Sequence, residues 1–206
     1  MSLTREHLSL EIIEAGRFLY GRGWSPATSS NYSTRLSASE ALLTVSGKHK
    51  GQLGLDDVLA TDMEGNSLEP GKKPSAETLL HTQLYNWRPD IGAVLHTHSV
   101  NATVLSRLTP GDSITFEDYE LQKAFSGVST HASRVHVPIF DNDQDITRLA
   151  RNVQPWLDTH PDCVGYLIRG HGLYTWGPRM SDALRQIEAF EFLFECELKT
   201  RAVLHR

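Results

Sequence analysis

Hydrophobic residues recur every three or four positions in several stretches of the chain, which is the spacing of a helix with one buried face. In the first stretch Thr4 is placed to cap the helix, and Gly21 and Gly23 are placed to end it. Its apolar face consists of Leu8, Ile12, Ala15 and Leu19. The same spacing predicts helices over residues 76–87 (capped by Ser75), 101–107, 116–125, 145–157 and 180–203.

Shorter apolar runs lie between these helices and predict strands, because strands span only a few residues and are bounded by turn residues. They cover residues 31–36, 41–45, 58–63, 91–98, 134–140, 163–168 and 173–176. Helices that alternate with short strands predict an α/β fold in which helices sandwich one sheet. Since there is no repeat, low-complexity segment or linker, we expect one domain over residues 1–206.

Composition excludes several classes of function. The 206 residues are 39% hydrophobic, and the net charge of -5 comes from interleaved acidic and basic residues, so we expect a sizeable core and no nucleic-acid partner. No apolar stretch approaches a membrane span, and residues 1–7 lack the apolar core of a signal peptide, which predicts a cytoplasmic protein without a membrane partner. Cys163 and Cys196 lie in apolar runs without C-x-x-C spacing, which predicts reduced, buried thiols.

Three histidines stand where predicted strands end. His96 and His98 close the apolar run 91–95, and His171 follows the run 163–168. Residues i and i+2 of a strand point the same way, so the first two imidazoles can face one ion. Three neutral imidazoles suit Zn²⁺ and leave a position open for water or substrate, although iron, cobalt, nickel and manganese are also accepted. The chain is therefore interpreted as a metalloenzyme.

Five motifs, read in order along nearly the whole chain, resemble those of the class II aldolase/adducin family. They are Ser30-Asn31-Tyr32-Ser33-Thr34-Arg35, Ser46-Gly47, Pro74-Ser75-Ala76-Glu77, His96-Thr97-His98-Ser99 and Arg169-Gly170-His171-Gly172. The resemblance implies a class II aldolase-like α/β/α sandwich around a central, mainly antiparallel sheet. It also implies a homotetramer with sites near the subunit contacts, acting on a small sugar phosphate.

The resemblance further implies roles for individual residues. His96, His98 and His171 would bind one divalent ion per subunit, commonly zinc. The substrate phosphate would lie among Asn31, Ser46, Gly47 and Ser75, with charge added by Lys48. Taken singly, each of these residues is equally well explained as a cap or turn residue. Aldolases carry Gly at position 30 and Ser at position 76, where this chain has Ser30 and Ala76, so one phosphate contact is missing or replaced.

Two glutamates match acid/base residues of the family. Glu77 matches the acid/base glutamate of the aldolases, and Glu120 matches the acid/base residue proposed for the family's sugar-phosphate dehydratases. The segments 46–51, 119–123 and 171–177 also resemble those of the dehydratases. The aldolases and epimerases use a tyrosine from a C-terminal extension, but no Tyr follows Tyr174 here, which favours a dehydratase. As the general acid, Glu120 would need a pKa nearer neutral, which burial beside apolar residues can produce.

Three other interpretations are consistent with the motifs. The first is an aldolase or epimerase of another sugar phosphate, in which Glu77 would lead. The second is an adducin-like binding module without catalysis, for which an empty metal site would be the sign. The third is a structural zinc protein, in which the ion would have four protein ligands and no open position.

Overall fold

The computed structural model describes residues 4–204, which form one eight-stranded sheet with α-helices on both faces. The helices are α1 (Arg5–Gly21), α2 (Thr78–Trp87), α3 (Val100–Leu108), α4 (Ile146–Thr159) and α5 (Met180–Leu204). The strands are β1 (Asn31–Arg35), β2 (Glu40–Thr44), β3 (Val58–Asp62), β4 (Ala93–Thr97), β5 (Ser113–Phe116), β6 (Val135–Phe140), β7 (Gly165–Ile168) and β8 (Gly172–Gly177). Three 3₁₀ helices cover Lys50–Gln52, Leu55–Asp57 and Glu120–Ala124.

The strand order in the sheet is β3-β2-β1-β4-β8-β7-β6-β5, and every neighbouring pair is antiparallel except β6 and β7. The register matters for function because it aligns polar residues across the three central strands. Asn31 of β1 is the partner of His96 of β4, and His96 is the partner of Tyr174 of β8. The middle of the sheet therefore carries a row of polar side chains at one end.

Two hydrophobic cores cover the two faces of the sheet. Side chains of α1, α3 and α5 fill one core, where Ile12, Ala102 and Phe190 are fully buried, and side chains of α2 and α4 fill the other, where Leu84 and Val153 are fully buried. Complete burial of a large side chain such as Ile12, Leu84 or Phe190 is worth about 1.5–3 kcal/mol. The predicted α/β/α sandwich around a mainly antiparallel sheet is confirmed.

Helix α1 follows the pattern of its sequence closely. The Thr4 hydroxyl accepts a hydrogen bond from the backbone N–H of His7, and the helix ends at Gly21. The four residues of the predicted apolar face, Leu8, Ile12, Ala15 and Leu19, are all buried. Local spacing and capping were therefore enough to define this helix.

The predicted helix over residues 116–125 is wrong. Phe116 ends strand β5, Asp118 has a left-handed backbone with φ of 62°, and only the 3₁₀ helix Glu120–Ala124 follows. The side-chain amide of Gln122 donates to the backbone oxygens of His131 and Ser133, at 2.8 and 2.6 Å. These bonds to a later loop fix the segment in a form that local helical spacing does not anticipate.

Two expectations from composition concern the surface and the thiols. Among the described residues 4–204, no helix is long and apolar enough to cross a membrane. Both cysteines are free thiols, and Cys163 is buried as predicted. Cys196 is only half-buried, contrary to the prediction, because the buried face of α5 ends at Phe194.

Candidate metal centre

The three predicted histidine ligands meet at the polar end of the central strands. His96 lies in β4, His98 lies one residue beyond its end, and His171 lies in the turn between β7 and β8. Together with Glu77, each residue offers one ligand atom, and these four atoms lie within 4.8 Å of one another. The antiparallel pairing of β4 with β8 brings the two parts of the sequence together.

His96 shows most directly which atom faces the centre of the cluster. Its Nδ1 lies 2.9 Å from the backbone oxygen of Leu173 and donates to it, so the proton is on Nδ1 and Nε2 is a free acceptor. The ring is 0% exposed, and within the described residues Nε2 has no hydrogen-bond partner. A buried acceptor without a partner is costly unless a ligand binds to it. A hydrogen bond from the other ring nitrogen, such as that from Nδ1 to Leu173, is typical of metal-ligating histidines.

Burial also keeps the imidazoles in the form that binds metals. It lowers the pKa of His96 far below the ordinary value, and the positive charge that His171 would carry adds to this effect. Burial likewise lowers the pKa of His98 to about 2, with further contributions from His96 and His171. Neutral rings have a free nitrogen lone pair, so the donor set suits zinc or another divalent transition ion.

The residue after His171 is a glycine, Gly172, because a side chain at this position would collide with β4. A Cβ at this position would lie 2.0 Å from the backbone oxygen of Thr97 and 3.0 Å from Cε1 of His96. Any other residue would push β8 away from β4 and displace the ring of His96. The sequence His171-Gly172 therefore serves the geometry of the cluster as well as its ligands.

Glu77 completes the cluster with a carboxylate. Its Oε1 lies 3.2 Å from Nε2 of His171, and its Oε2 lies 3.4 Å from Nε2 of His96. The amide of Asn31 donates to Oε2 at 2.7 Å and holds the carboxylate in this orientation. Glu77 is thus in the position of either a fourth ligand or an acid/base group.

The start of helix α2 differs from the prediction. The helix begins at Thr78, so Glu77 and not Ser75 occupies the N-cap position. The backbone oxygen of Ser75 accepts from the N–H of Thr78, which forms a turn before the helix. Glu77 makes no side-chain capping bond, because its carboxylate faces the histidines.

A buried chain of hydrogen bonds supports Glu77 from behind. Because the amide nitrogen of Asn31 donates to Glu77, its oxygen faces His81 and accepts from Nε2 of that ring. Nδ1 of His81 must then accept, and the hydroxyl of Ser33 donates to it at 2.7 Å while accepting from Tyr85 at 2.8 Å. Burial lowers the pKa of His81 to about 3, so the ring stays neutral.

None of the sequence motifs includes His81. The available signal was its spacing, since it follows Glu77 by one turn of α2 and so shares a face with it. Nothing in that spacing indicates that the ring contacts Asn31, because the contact depends on the position of β1.

A cavity of about 340 Å³ adjoins the cluster. Its wall contains Glu77, His98 and His171 together with four of the five residues predicted for the phosphate, Asn31, Ser46, Gly47 and Ser75. Gly47 has a φ of 74°, which a glycine adopts without strain and which turns the chain around the cavity. The structure therefore brings the predicted metal and phosphate residues into one site.

The two lysines near Gly47 point in different directions. Lys48 is half exposed, and its Nζ lies 3.0 Å from Oδ1 of Asp57, away from the cavity for which it was predicted. Lys50 lines the cavity and is 1% exposed. Its ammonium donates to the backbone oxygens of Thr28 and Lys48, at 3.2 and 2.6 Å.

Glu120 lies outside the cavity wall. It begins the 3₁₀ helix Glu120–Ala124, its side chain is 73% exposed, and it forms an ion pair with Lys123. The hydrogen bond from Lys123 lowers the pKa of Glu120 below the ordinary value. The expected burial and upward shift of this pKa are therefore absent from the described chain.

Comparison with known proteins adds sequence relatives. The sequence model described as "Class II Aldolase and Adducin N-terminal domain" matches residues 10–198. A Pseudomonas fluorescens protein named methylthioribulose-1-phosphate dehydratase is 87% identical over 206 residues, which are 100% of this chain and 99% of the relative. An Azotobacter vinelandii protein of the same name is 79% identical over the full length of both chains.

Solved structures show the same architecture at greater distance. The L-fuculose-1-phosphate aldolase of Thermus thermophilus has a TM-score of 0.79 to this chain at 23% identity, covering 98% of this chain and 100% of the aldolase. At this level of identity the likeness concerns the fold alone.

Proposed function

The chain belongs to the class II aldolase and adducin family, and from this membership we propose that it is a hydro-lyase of sugar phosphates. It removes water from 5-methylthioribulose 1-phosphate and yields 2,3-diketo-5-methylthiopentyl 1-phosphate, a step of methionine salvage. The single observation that carries this assignment is the 87% identity, over the whole chain, to a protein named methylthioribulose-1-phosphate dehydratase. The histidine cluster beside the cavity supports a catalytic role.

The residues of the cluster fit one zinc ion per subunit, held by His96, His98 and His171. When bound, such an ion polarises the substrate carbonyl at C2 and stabilises the negative charge that develops after removal of the proton at C3. The Nδ1 bond of His96 to Leu173 keeps this ring aimed at the ion. Access from the cavity supports a catalytic site over a structural zinc site, which would be closed.

Neutral donors around the cavity bind the substrate phosphate in this proposal. They are the hydroxyls of Ser46 and Ser75, the backbone at Gly47 and the remaining amide N–H of Asn31. Hydroxyls and free backbone N–H groups at a turn are suitable donors to phosphate oxygens. With the phosphate there, the carbonyl end of the sugar extends towards the histidines.

Dehydration requires two proton transfers. The C3 proton leaves to a base, the C4 hydroxyl accepts a proton and departs as water, and the resulting enol tautomerises to the 2,3-diketone. Glu77 is held at the cluster by Asn31, so it serves as a metal ligand or as an acid/base group at the carbonyl end. We assign the proton for the C4 oxygen to Glu120, as in the dehydratases it matches.

The exposed position of Glu120 leads us to propose that it acts in a neighbouring subunit of a homotetramer. In the separate chain its pKa is lowered by Lys123, so it is ionised at neutral pH and unsuited to donate a proton. Burial at a subunit contact would raise this pKa and bring the carboxyl group to a second chain's cavity. We further propose a cytoplasmic location, in keeping with the two free thiols.

The products formed from three substrates test the assignment. Zinc-loaded protein is incubated with 5-methylthioribulose 1-phosphate, with fuculose 1-phosphate and with ribulose 5-phosphate, and the products are identified by mass. We expect loss of one water from the first substrate alone. Cleavage or epimerisation of another sugar would instead indicate an aldolase-type enzyme led by Glu77, and no turnover with an empty metal site would indicate a binding module.

A further inference from the structure

Lys50 is a buried cation without an acidic partner. Lys50 is 1% exposed, and no ion pair within residues 4–204 includes it. Asp57 is the acidic residue whose charge acts on Lys50, but its carboxylate lies 3.0 Å from the ammonium of Lys48. A buried charge without a counter-ion is costly, so a cavity that contains one is suited to an anion.

The hydrogen bonds of the ammonium leave room for such an anion. An ammonium has three N–H donors, and the backbone oxygens of Thr28 and Lys48 accept from two of them. One donor is left for a group inside the cavity that Lys50 lines. Burial lowers the pKa of Lys50 to about 8, so the side-chain amine is still mostly protonated and positively charged at neutral pH.

Close packing against α1 fixes the position of Lys50. A Cβ on Gly16 would lie 2.4 Å from the backbone oxygen of Lys50, and a Cβ on Gly51 would lie 2.5 Å from the ring of Tyr20. The 3₁₀ helix Lys50–Gln52 therefore rests directly on α1, and two glycines make this contact possible. An ammonium held on such a support can bind an anion with little loss of entropy.

The predicted phosphate residues that line the cavity are all neutral. Ser46, Gly47 and Ser75 share the cavity with Lys50, and Ala76 in the same wall brings no hydroxyl. A phosphate monoester carries nearly two negative charges at neutral pH, and a charge-assisted bond is roughly twice as strong as a neutral one.

We propose that Lys50 is the phosphate-binding cation of this site. It makes the site selective for the phosphorylated sugar over the unphosphorylated one. The inference rests on the proposed function for the identity of the sugar, but the anion site itself stands on the geometry of Lys50.

Lys50→Met is the direct test, and Lys48→Met is its matched control. Both variants lose one lysine from the same loop, but Lys48 is half exposed and paired with Asp57. The affinity for inorganic phosphate is measured by calorimetry on zinc-loaded protein, with zinc content as a check. We expect Lys50→Met to weaken phosphate binding at least about 10-fold, the loss of one charged hydrogen bond, and Lys48→Met to change it less than about twofold.

Steady-state kinetics give the second readout. Lys50→Met should raise KM for the phosphorylated substrate by about 10-fold or more while changing kcat less, because a binding contact is lost. Affinity for unphosphorylated 5-methylthioribulose should stay within about twofold of the parent. If Lys50→Met does not fold, Lys50→Gln is judged by the same criteria.

Equal phosphate affinity in the parent and in a folded, zinc-loaded Lys50 variant would overturn the proposal, as would an equal loss in Lys48→Met. Phosphate titration does not depend on turnover, so the two proposals fail separately. A parent that binds phosphate through Lys50 but does not dehydrate 5-methylthioribulose 1-phosphate would refute only the proposed reaction.

Discussion

Glu77 and Glu120 are the two carboxylates for which the sequence predicts an acid/base role, and their surroundings differ completely. Glu77 is 13% exposed, receives a hydrogen bond from Asn31 and lies 3.2 Å from His171. Glu120 is 73% exposed and pairs with Lys123 on a short 3₁₀ helix. Glu77 is held in the histidine cluster by a hydrogen bond from Asn31. Glu120 lies on the surface, where its ion-pair partner is Lys123.

We propose that this difference reflects a site shared between subunits. A single chain brings together four side chains that fit a metal ion and the groups around the cavity. It does not bring Glu120 to that cavity. In our proposal the acid/base group therefore comes from a neighbouring chain of a homotetramer, and assembly is required for catalysis.

Removal of a histidine ligand should have the largest effect. His96→Ala and His98→Ala each take one imidazole from the cluster, so we expect loss of stoichiometric zinc and a fall of activity to background. Elemental analysis of the purified variants and product formation by mass check both effects. Stoichiometric zinc in either variant would refute the assignment of that residue as a ligand.

Exchange of each glutamate for glutamine should separate the two roles. Glu120→Gln should lower kcat by about 100-fold, the usual worth of a general acid, and leave zinc content and thermal stability unchanged. Glu77→Gln should also weaken zinc binding, because the carboxylate lies at the cluster. Near-normal turnover of folded, metal-loaded Glu120→Gln would show that this residue is not the acid.

A third carboxylate, Glu191, sharpens the comparison because it is buried and no ion pair within residues 4–204 includes it. Burial raises its pKa to about 7, and within the described residues its Oε1 has no hydrogen-bond partner. The folded chain keeps a proton that the unfolded chain releases near pH 4.5, so stability is full below that pH and falls as pH rises through 7.

Glu191→Gln should remove this dependence. Between pH 4.5 and 8 the free energy of unfolding of the parent should fall relative to that of the variant by about 3 kcal/mol. Urea unfolding at a series of pH values measures the difference. Parallel pH profiles for the two proteins would show that Glu191 does not hold a proton in the folded chain.

Ser33→Ala should have the smallest effect. The hydroxyl of Ser33 donates to His81 and accepts from Tyr85, and its loss leaves two buried groups without a partner, at a cost of about 1–3 kcal/mol. Because His81 holds Asn31 and Asn31 holds Glu77, kcat should fall several-fold while KM changes little. A kcat equal to that of the parent would show that the buried chain does not position Glu77.

The parts of the fold that the sequence predicts correctly are those decided by local pattern. The apolar spacing of α1 and the run before His96 are visible in the chain, and the alternation of strand side chains correctly places His96 and His98 on one cluster. The helix predicted over residues 116–125 fails because Gln122 bonds to the backbone of His131, which lies outside the predicted helix. No local pattern contains that contact.

The site shows the same limit at the level of single side chains. Lys48 and Lys50 are identical residue types two positions apart, and the packing of the 3₁₀ helix against Gly16 and Tyr20 of α1 decides which one faces the cavity. The partners of His81 likewise depend on the register of β1 beside β4. The sequence motifs predict which segments form the site, but tertiary packing determines which side chains contact each other there.

Mixing two inactive variants tests the division of labour between subunits most directly. Glu120→Gln and His98→Ala chains are co-expressed with different tags, mixed oligomers are purified, and dehydration of 5-methylthioribulose 1-phosphate is measured. If Glu120 acts in a neighbouring chain, random pairing restores about a quarter of the sites, and activity returns to about that fraction of the parent. Mixed oligomers that stay as inactive as each variant alone would contradict the account.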